Sequence, residues 1–301
     1  MVIPLPPASR SSQESAPPAA ILYLFATGFL FSCLDSSAKY LVLSGIPTAF
    51  ISWMRFVEHT LLVLIFFRPW SNPAVFKVRS IPLQFIRGLC LFGSTFFNFY
   101  ALQTMQLGET ITINFAAPMV IAALAGPFLG EWAGWRRWAA IIVAFVGVLI
   151  IARPGFGTLN PGLPYSIAAM LSYSFYVLLT RRMAATETPE SLIFFSALAP
   201  AILMSPAITQ AVIPETPLQI VLLLSLGVFG GLGHFLIILA YRKATTAALA
   251  PYPFLQIIWM LAFGYFVFDQ FPDVYTLCGA VIIIGSGLYV VHRERRSRIR
   301  D

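Results

Sequence analysis

ALQTMQLGETITINFAAPMVIAALAGPFLGEWAGWRRWAAIIVAFVGVLII, residues 101–151, decides the fold. Two apolar runs flank a short hinge that carries Gly130, Glu131, Gly134, Arg136 and Arg137. A helix needs roughly 17 to 25 mostly apolar residues to cross a hydrocarbon core of about 30 Å, and each run is that long. The pair reads as a membrane hairpin. Residues 239–291 repeat the plan at an offset of 138: Gly126 falls on Gly264, Phe128 on Phe266, Glu131 on Asp269, Val143 on Val281 and Gly147 on Gly285. Elsewhere the offset drifts, as loops of unequal length require. Gly88 matches Gly227 and Ala101 matches Ala240 at 139, while Ser32 with Ser174, Lys39 with Arg181 and Pro47 with Pro189 match at 142. Small and apolar residues coincide easily between membrane helices, so the acidic hinge position is the informative match. We read the chain as an internal duplication.

Composition agrees. Of 301 residues, 58% are hydrophobic and 10% charged, against about 45 to 50% and about 25% in soluble domains. The net charge of +7 resides in short loops and the C-terminal tail, with no aromatic-interleaved basic domain for a nucleic-acid backbone. Cys33, Cys90 and Cys278 lie inside apolar segments without metal-ligand spacing. A G-x4-G-K-[ST] loop for ATP is absent, as is H-E-x-x-H, and His59, His234 and His292 are scattered. No cofactor or metal is expected, and an ATP-driven pump is unsupported.

Hydropathy gives ten candidate spans: 19–43, 47–67, 81–104, 110–129, 135–152, 161–180, 189–208, 217–241, 247–268 and 274–292. With the N-terminus in the cytoplasm, Arg68, Lys77, Arg79, Arg87, Arg136, Arg137, Arg181, Arg182, Arg242, Lys243 and the tail arginines all fall inside, and only Arg153 falls outside. That alternation obeys the rule that cytoplasmic loops carry the cations. Residues 1–18, rich in Pro, Ser and Ala, read as a disordered cytoplasmic lead rather than a signal peptide. The first five-helix repeat covers 19–152, the second 153–292, and a basic cytoplasmic tail 293–301. An odd number of helices per copy forces the second copy in upside down. The expected fold is therefore all-α and integral to the membrane, ten helices as two inverted five-helix repeats around a central cavity, an arrangement characteristic of secondary transporters.

Pro118 precedes Glu131 in the form P-x12-E, with Gly130 and Gly147 in the same hairpin, Ala101-Leu102 ahead of it and Trp53-Met54-Arg55 on the second helix. These residues resemble the EamA-type branch of the drug/metabolite transporter superfamily over about residues 21–292. The second copy departs from the pattern, with Gln256 in the proline slot and Asp269 for the glutamate. The aromatic, nearly uncharged helices look most like the bacterial amino-acid exporters of the YddG type. The resemblance implies export of amino acids or similar amphipathic metabolites across a bacterial inner membrane by alternating access, with helices three, four, eight and nine around the cavity. A drug or another metabolite as cargo is the alternative within the superfamily. A polytopic enzyme acting on lipid is the alternative outside it, and oligomeric state stays open.

Ionisable groups in a membrane helix are costly, at least about 2.5 kcal/mol at its centre, and so mark candidates. Asp35 and Lys39 stand i, i+4 on the first helix and read either as a structural pair or with Asp35 as a proton sensor. Arg55 and Glu58 form a second adjacent pair, with His59 beside them as packing. His234, among Gly227, Gly230, Gly231 and Gly233, is either a neutral hydrogen-bonded residue or a switch that titrates near neutral pH. Tyr252, Gln256 and Trp259 share one face of the ninth helix at i, i+4, i+7, Asn114 lies one turn before Pro118, and Asn98 and Tyr100 close the third helix. Aromatic walls with a few amides suit a small amphipathic ligand. The bland reading of each aromatic is packing, but Asn98, Asn114 and Gln256 resist it, because an amide facing lipid is unsatisfied. Tyr173 and Tyr176 are weaker candidates. Pro118, Gly126, Gly130, Gly230 and Gly231 read as hinge and close-packing positions, and Glu131 as a loop salt bridge with Arg136 and Arg137.

Overall fold

Capping residues set where the helices begin. Ser80 accepts the Leu83 N–H, the Glu109 carboxylate accepts the Gln106 N–H at 2.8 Å, and Thr188 accepts the Ser191 N–H, each satisfying a donor at a helix start. The computed structural model describes residues 17–67, 70, 76, 78–130, 134–153, 160–183, 186–243, 249 and 252–298. Its helices are α1 (Pro18–Leu43), α2 (Thr48–Phe67), α3 (Ile81–Ala101), α4 (Leu107–Asn114), α5 (Ala117–Leu129), α6 (Trp135–Ala152), α7 (Leu163–Met183), α8 (Pro189–Leu203), α9 (Pro217–Lys243), α10 (Gln256–Phe268) and α11 (Val274–Arg298). No strand occurs among the described residues.

Each of the ten expected segments contains helix, but three differ in detail. The segment expected at 110–129 is two helices end to end, α4 and α5, broken at Phe115 and Ala116. Pro118 sits in the first turn of α5, where its missing N–H costs nothing. In the second copy, Tyr252–Leu255 is a 3-10 turn ahead of α10, so the i, i+4, i+7 face expected through Tyr252 starts outside the α-helix. The eighth segment ends at Leu203 and continues as a 3-10 turn, Ser205–Gln210. Among the described residues five helical stretches, Pro18–Leu43, Thr48–Phe66, Leu107–Phe128 (α4 and α5 taken together), Leu163–Met183 and Pro217–Ile237, are long and apolar enough to cross a membrane by length and composition. The exposed faces of α6, α9 and α11 carry Ile142, Phe145, Val221, Leu224 and Val281, surface that water would penalise and lipid accepts.

Helix packing follows a two-fold pattern. Helix α1 packs on α9 as α7 packs on α3, α2 on α9 as α8 on α3, and α1 on α10 as α7 on α5, while α2 meets α8, α4 meets α10 and α6 meets α11. Two repeat-related glycines make the same kind of crossing. A side chain at Gly88 of α3 would collide with Ala199 and Pro200 of α8, and one at Gly227 of α9 with Glu58 and the His59 backbone of α2. Leu34, Ile51, Phe99 and Ile113 from the first copy share one apolar cluster with Leu226, Met260 and Ile283 from the second. The halves have a common core.

Loops expected on one side meet each other. Gln103 donates to Thr48 at 2.9 Å, Thr104 to Asn160 at 2.7 Å, and Arg153, the lone outer cation of the sequence, pairs with Asp273 and stacks on Tyr275. At the other end the Arg79 N–H donates to Glu187 at 2.9 Å. Gly130 closes α5 in the left-handed region at φ 75° with open space around it. It is a helix stop rather than the packing position expected of it. Glu131 lies outside the described residues, as do the side chains of Arg136 and Arg137, and with them the expected loop bridge.

Candidate functional site

Polar side chains converge where α1, α2, α3, α4 and α9 meet. Asn98 on α3 donates from Nδ2 to Asp35 Oδ1 on α1 at 3.1 Å, and Asn114 at the end of α4 donates to Asn98 Oδ1 at 3.4 Å. Three residues distant in sequence thus form one chain, and its last member stands at the break between α4 and α5. Lys39 takes no part. Its amine donates to the Met105 carbonyl at 2.7 Å and to Gln270 Oε1 at 2.9 Å, above the Phe268 ring. The expected Asp35–Lys39 pair is therefore not formed, because the long lysine stem reaches two acceptors in the loops that follow α3 and α10.

The second expected pair dissolves for a similar reason. Glu58 Oε2 accepts the Gly227 N–H at 2.7 Å, at the glycine crossing, and its Oε1 is buried without a partner. Arg55 is 5% exposed. Its Nη1 donates to Thr95 on α3, its guanidinium covers Phe56, and it packs against the bare backbone of Gly230. His59 packs as expected, its ring parallel to that of His234 with centroids 5.8 Å apart. Phe31 meets His234 edge-on, with centroids 5.2 Å apart. Gly231 faces Leu62 and His59. The seam is consequently more charged than the uncharged pocket expected from sequence.

Other candidates occupy different ground. Gln256 backs onto Gly28 of α1, two helical turns or about 10 Å inward of Asp35 along that helix. Trp259 donates its indole N–H to the Phe25 carbonyl at 3.2 Å and packs on Phe25 and Phe29, while Tyr252 joins the Ala20, Leu24, Ala240 and Leu249 cluster. These three line the α1 interface together, separately from the Asn98–Asn114 chain. Tyr100 makes tilted ring contacts with Phe96 and Tyr165 at 4.9 and 5.2 Å. Pro118 is exposed and Gly126 buried. Tyr176 lies under the Arg87 guanidinium.

Arg87 itself was read from sequence as an inner-loop charge. It is fully buried, donating from Nη1 to Ser196 at 2.8 Å and from Nη2 to Gln84 and the Leu192 carbonyl. An ionisable residue nearly two turns inside an apolar segment was the available signal, and the charge count of the loops outweighed it.

Comparison with known proteins adds the lineage. The profile of the EamA-like transporter family matches residues 18–153 and again 160–291. An S-adenosylmethionine uptake transporter of Rickettsia bellii is 30% identical over 89% of this chain and 94% of its own length. A pseudopaline exporter of Pseudomonas aeruginosa is 23% identical over 88% of this chain and 93% of its own. One crystal structure, 17% identical, superposes on 97% of this chain and 100% of its own with a TM-score of 0.61, a likeness of fold.

Proposed function

Because the chain belongs to the EamA-like transporter family, a family of membrane transporters and not enzymes, we propose that it is a secondary carrier exporting neutral amino acids, aromatic ones included, or similar small amphipathic metabolites. It resides in the bacterial inner membrane with both termini cytoplasmic. Residues 19–152 and 153–292 are its two inverted units, and they rock about the seam in alternating access. Asn98 and Asn114, with Gln256, Tyr100, Tyr252, Trp259 and His234, form the cargo-facing set. Asp35 and His234 are the candidates for coupling to protons, and Pro118, Gly126, Gly230 and Gly231 for movement.

One observation carries this reading: the Asp35–Asn98–Asn114 chain ends at a helix break in the middle of a span. Pro118 has no N–H to offer the Asn114 carbonyl four residues earlier, and carriers use interrupted helices to bind polar cargo deep in the bilayer. A second reading keeps the carrier and changes the cargo to a larger metabolite, favoured by relatives named for S-adenosylmethionine and pseudopaline. Those two also run in opposite directions by name. Counterflow in vesicles containing the purified protein tests both. Exchange of labelled neutral amino acids supports the first reading. Exchange of S-adenosylmethionine with none of any amino acid replaces it by the second.

A further inference from the structure

We propose that Asp35 and Arg55 are the two poles of a clamp for a zwitterionic head group, with the cargo carboxylate docking on the Arg55 guanidinium and the cargo ammonium on the Asp35 carboxylate. The inference rests on the carrier reading and narrows its cargo to α-amino acids or molecules that end in one.

The two charges sit on neighbouring helices, α1 and α2, close enough to feel each other's field. Opposite charges in a low-dielectric interior attract strongly. No salt bridge joins them all the same, among the described residues. Each is held instead by a neutral anchor from α3, Thr95 on Arg55 Nη1 and Asn98 on Asp35 Oδ1. Thr95 and Asn98 are separated by one helical turn and share a face. Helix α3 acts as a spacer that keeps the pair open.

Both members retain unused capacity. Thr95 is the one hydrogen-bond acceptor that Arg55 finds among the described residues, and its Nε is buried with no acceptor at all. Asp35 is only partly buried, and its second oxygen accepts no hydrogen bond among the described residues. Glu58, three residues on, makes no salt bridge with Arg55 among the described residues, and its Oε2 accepts the Gly227 N–H instead. A buried guanidinium without a counter-ion is costly in a membrane, and its fork geometry matches a carboxylate. A ligand carrying both charges completes both groups at once, which neither an amine nor an acid alone can do.

Competition against labelled phenylalanine in counterflow tests this, using the full-length protein in vesicles. The competitors are unlabelled phenylalanine, phenylalaninamide, which lacks the carboxylate, and 3-phenylpropionate, which lacks the ammonium. The native carrier should prefer phenylalanine to each by about ten-fold or more, the scale of one hydrogen bond to a charged group. Arg55→Gln should erase the preference over the amide, and Asp35→Asn the preference over the propionate. Equal competition in the native protein, or variants that keep both preferences, overturns the clamp while leaving the carrier intact. A native protein that moves only cargo without an α-amino-acid head group likewise overturns the clamp, and one that exchanges no solute at all overturns the carrier reading on which it rests. Should Arg55→Gln fail to fold, the native competitor series and Arg55→Lys, which keeps the charge but loses the fork and should weaken phenylalanine selectively against the amide, decide the matter.

Discussion

Arg87 shows how one side chain can tie three helices. From α3 it reaches Ser196 and the Leu192 carbonyl on α8 and covers Tyr176 on α7. Removing a charged donor from buried acceptors costs about 1.5 to 3 kcal/mol per bond. Arg87→Gln should therefore lower the melting temperature in detergent markedly, read by intrinsic fluorescence. A melt superimposable on the native one would refute the role. Glycines divide by their surroundings in the same way. Gly88→Val and Gly227→Val should each destabilise by about 1 to 3 kcal/mol through overpacking, whereas Gly285→Ala, which meets open space, should be neutral or gain about 0.5 to 1 kcal/mol. At this scale the sequence announced which residues are unusual but not whom they touch. Asp35 with Lys39 and Arg55 with Glu58 look like pairs because i, i+3 and i, i+4 neighbours share a helix face. Their real partners, Asn98, Thr95 and Gly227 on other helices and Gln270 in the loop after α10, lie far along the chain, and no local pattern encodes them.

Helix positions were legible, since twenty apolar residues between charged or Pro/Gly-rich loops leave few other options. Interruptions were not. The break at Phe115–Ala116 carries no charge or glycine, and Pro118 alone is compatible with either a bend or a fresh start. The fresh start is what forms, with Phe115 packed edge-on against Phe254 beside the corresponding 3-10 turn of the other copy. Pro118→Ala lets the two pieces fuse into one continuous helix and restores an N–H to the ladder. Initial transport rates should fall several-fold with the folded fraction unchanged on size-exclusion chromatography. Undiminished transport would remove the break from the working cycle. Helix stops were equally obscure, because Asp269 and Arg153 both end helices at positive φ, 52° and 47°, a conformation that asparagine, aspartate or glycine tolerates better than arginine.

Across the molecule, duplication and side-to-side charge bias were both readable, and the packing pattern agrees with a paired arrangement down to Gly88 and Gly227. The burial of Arg87 was the misreading that the charge bias encouraged. Membrane sidedness can be checked directly. In a chain whose Cys33, Cys90 and Cys278 are replaced, single cysteines at Ser44, Asn160 and Glu215 should react with an impermeant maleimide added outside intact cells. Cysteines at Arg79 and Thr186 should react only after permeabilisation. The opposite pattern would invert the proposed topology.

Crossings that recur in both copies have a kinetic corollary. If α3 slides on α8 by the same geometry with which α9 slides on α2, each open form resembles the other with the roles of the copies exchanged, and neither is privileged by its scaffold. Such a machine is a reversible turnstile, and whether it empties or fills a cell is decided by the gradients on its two sides.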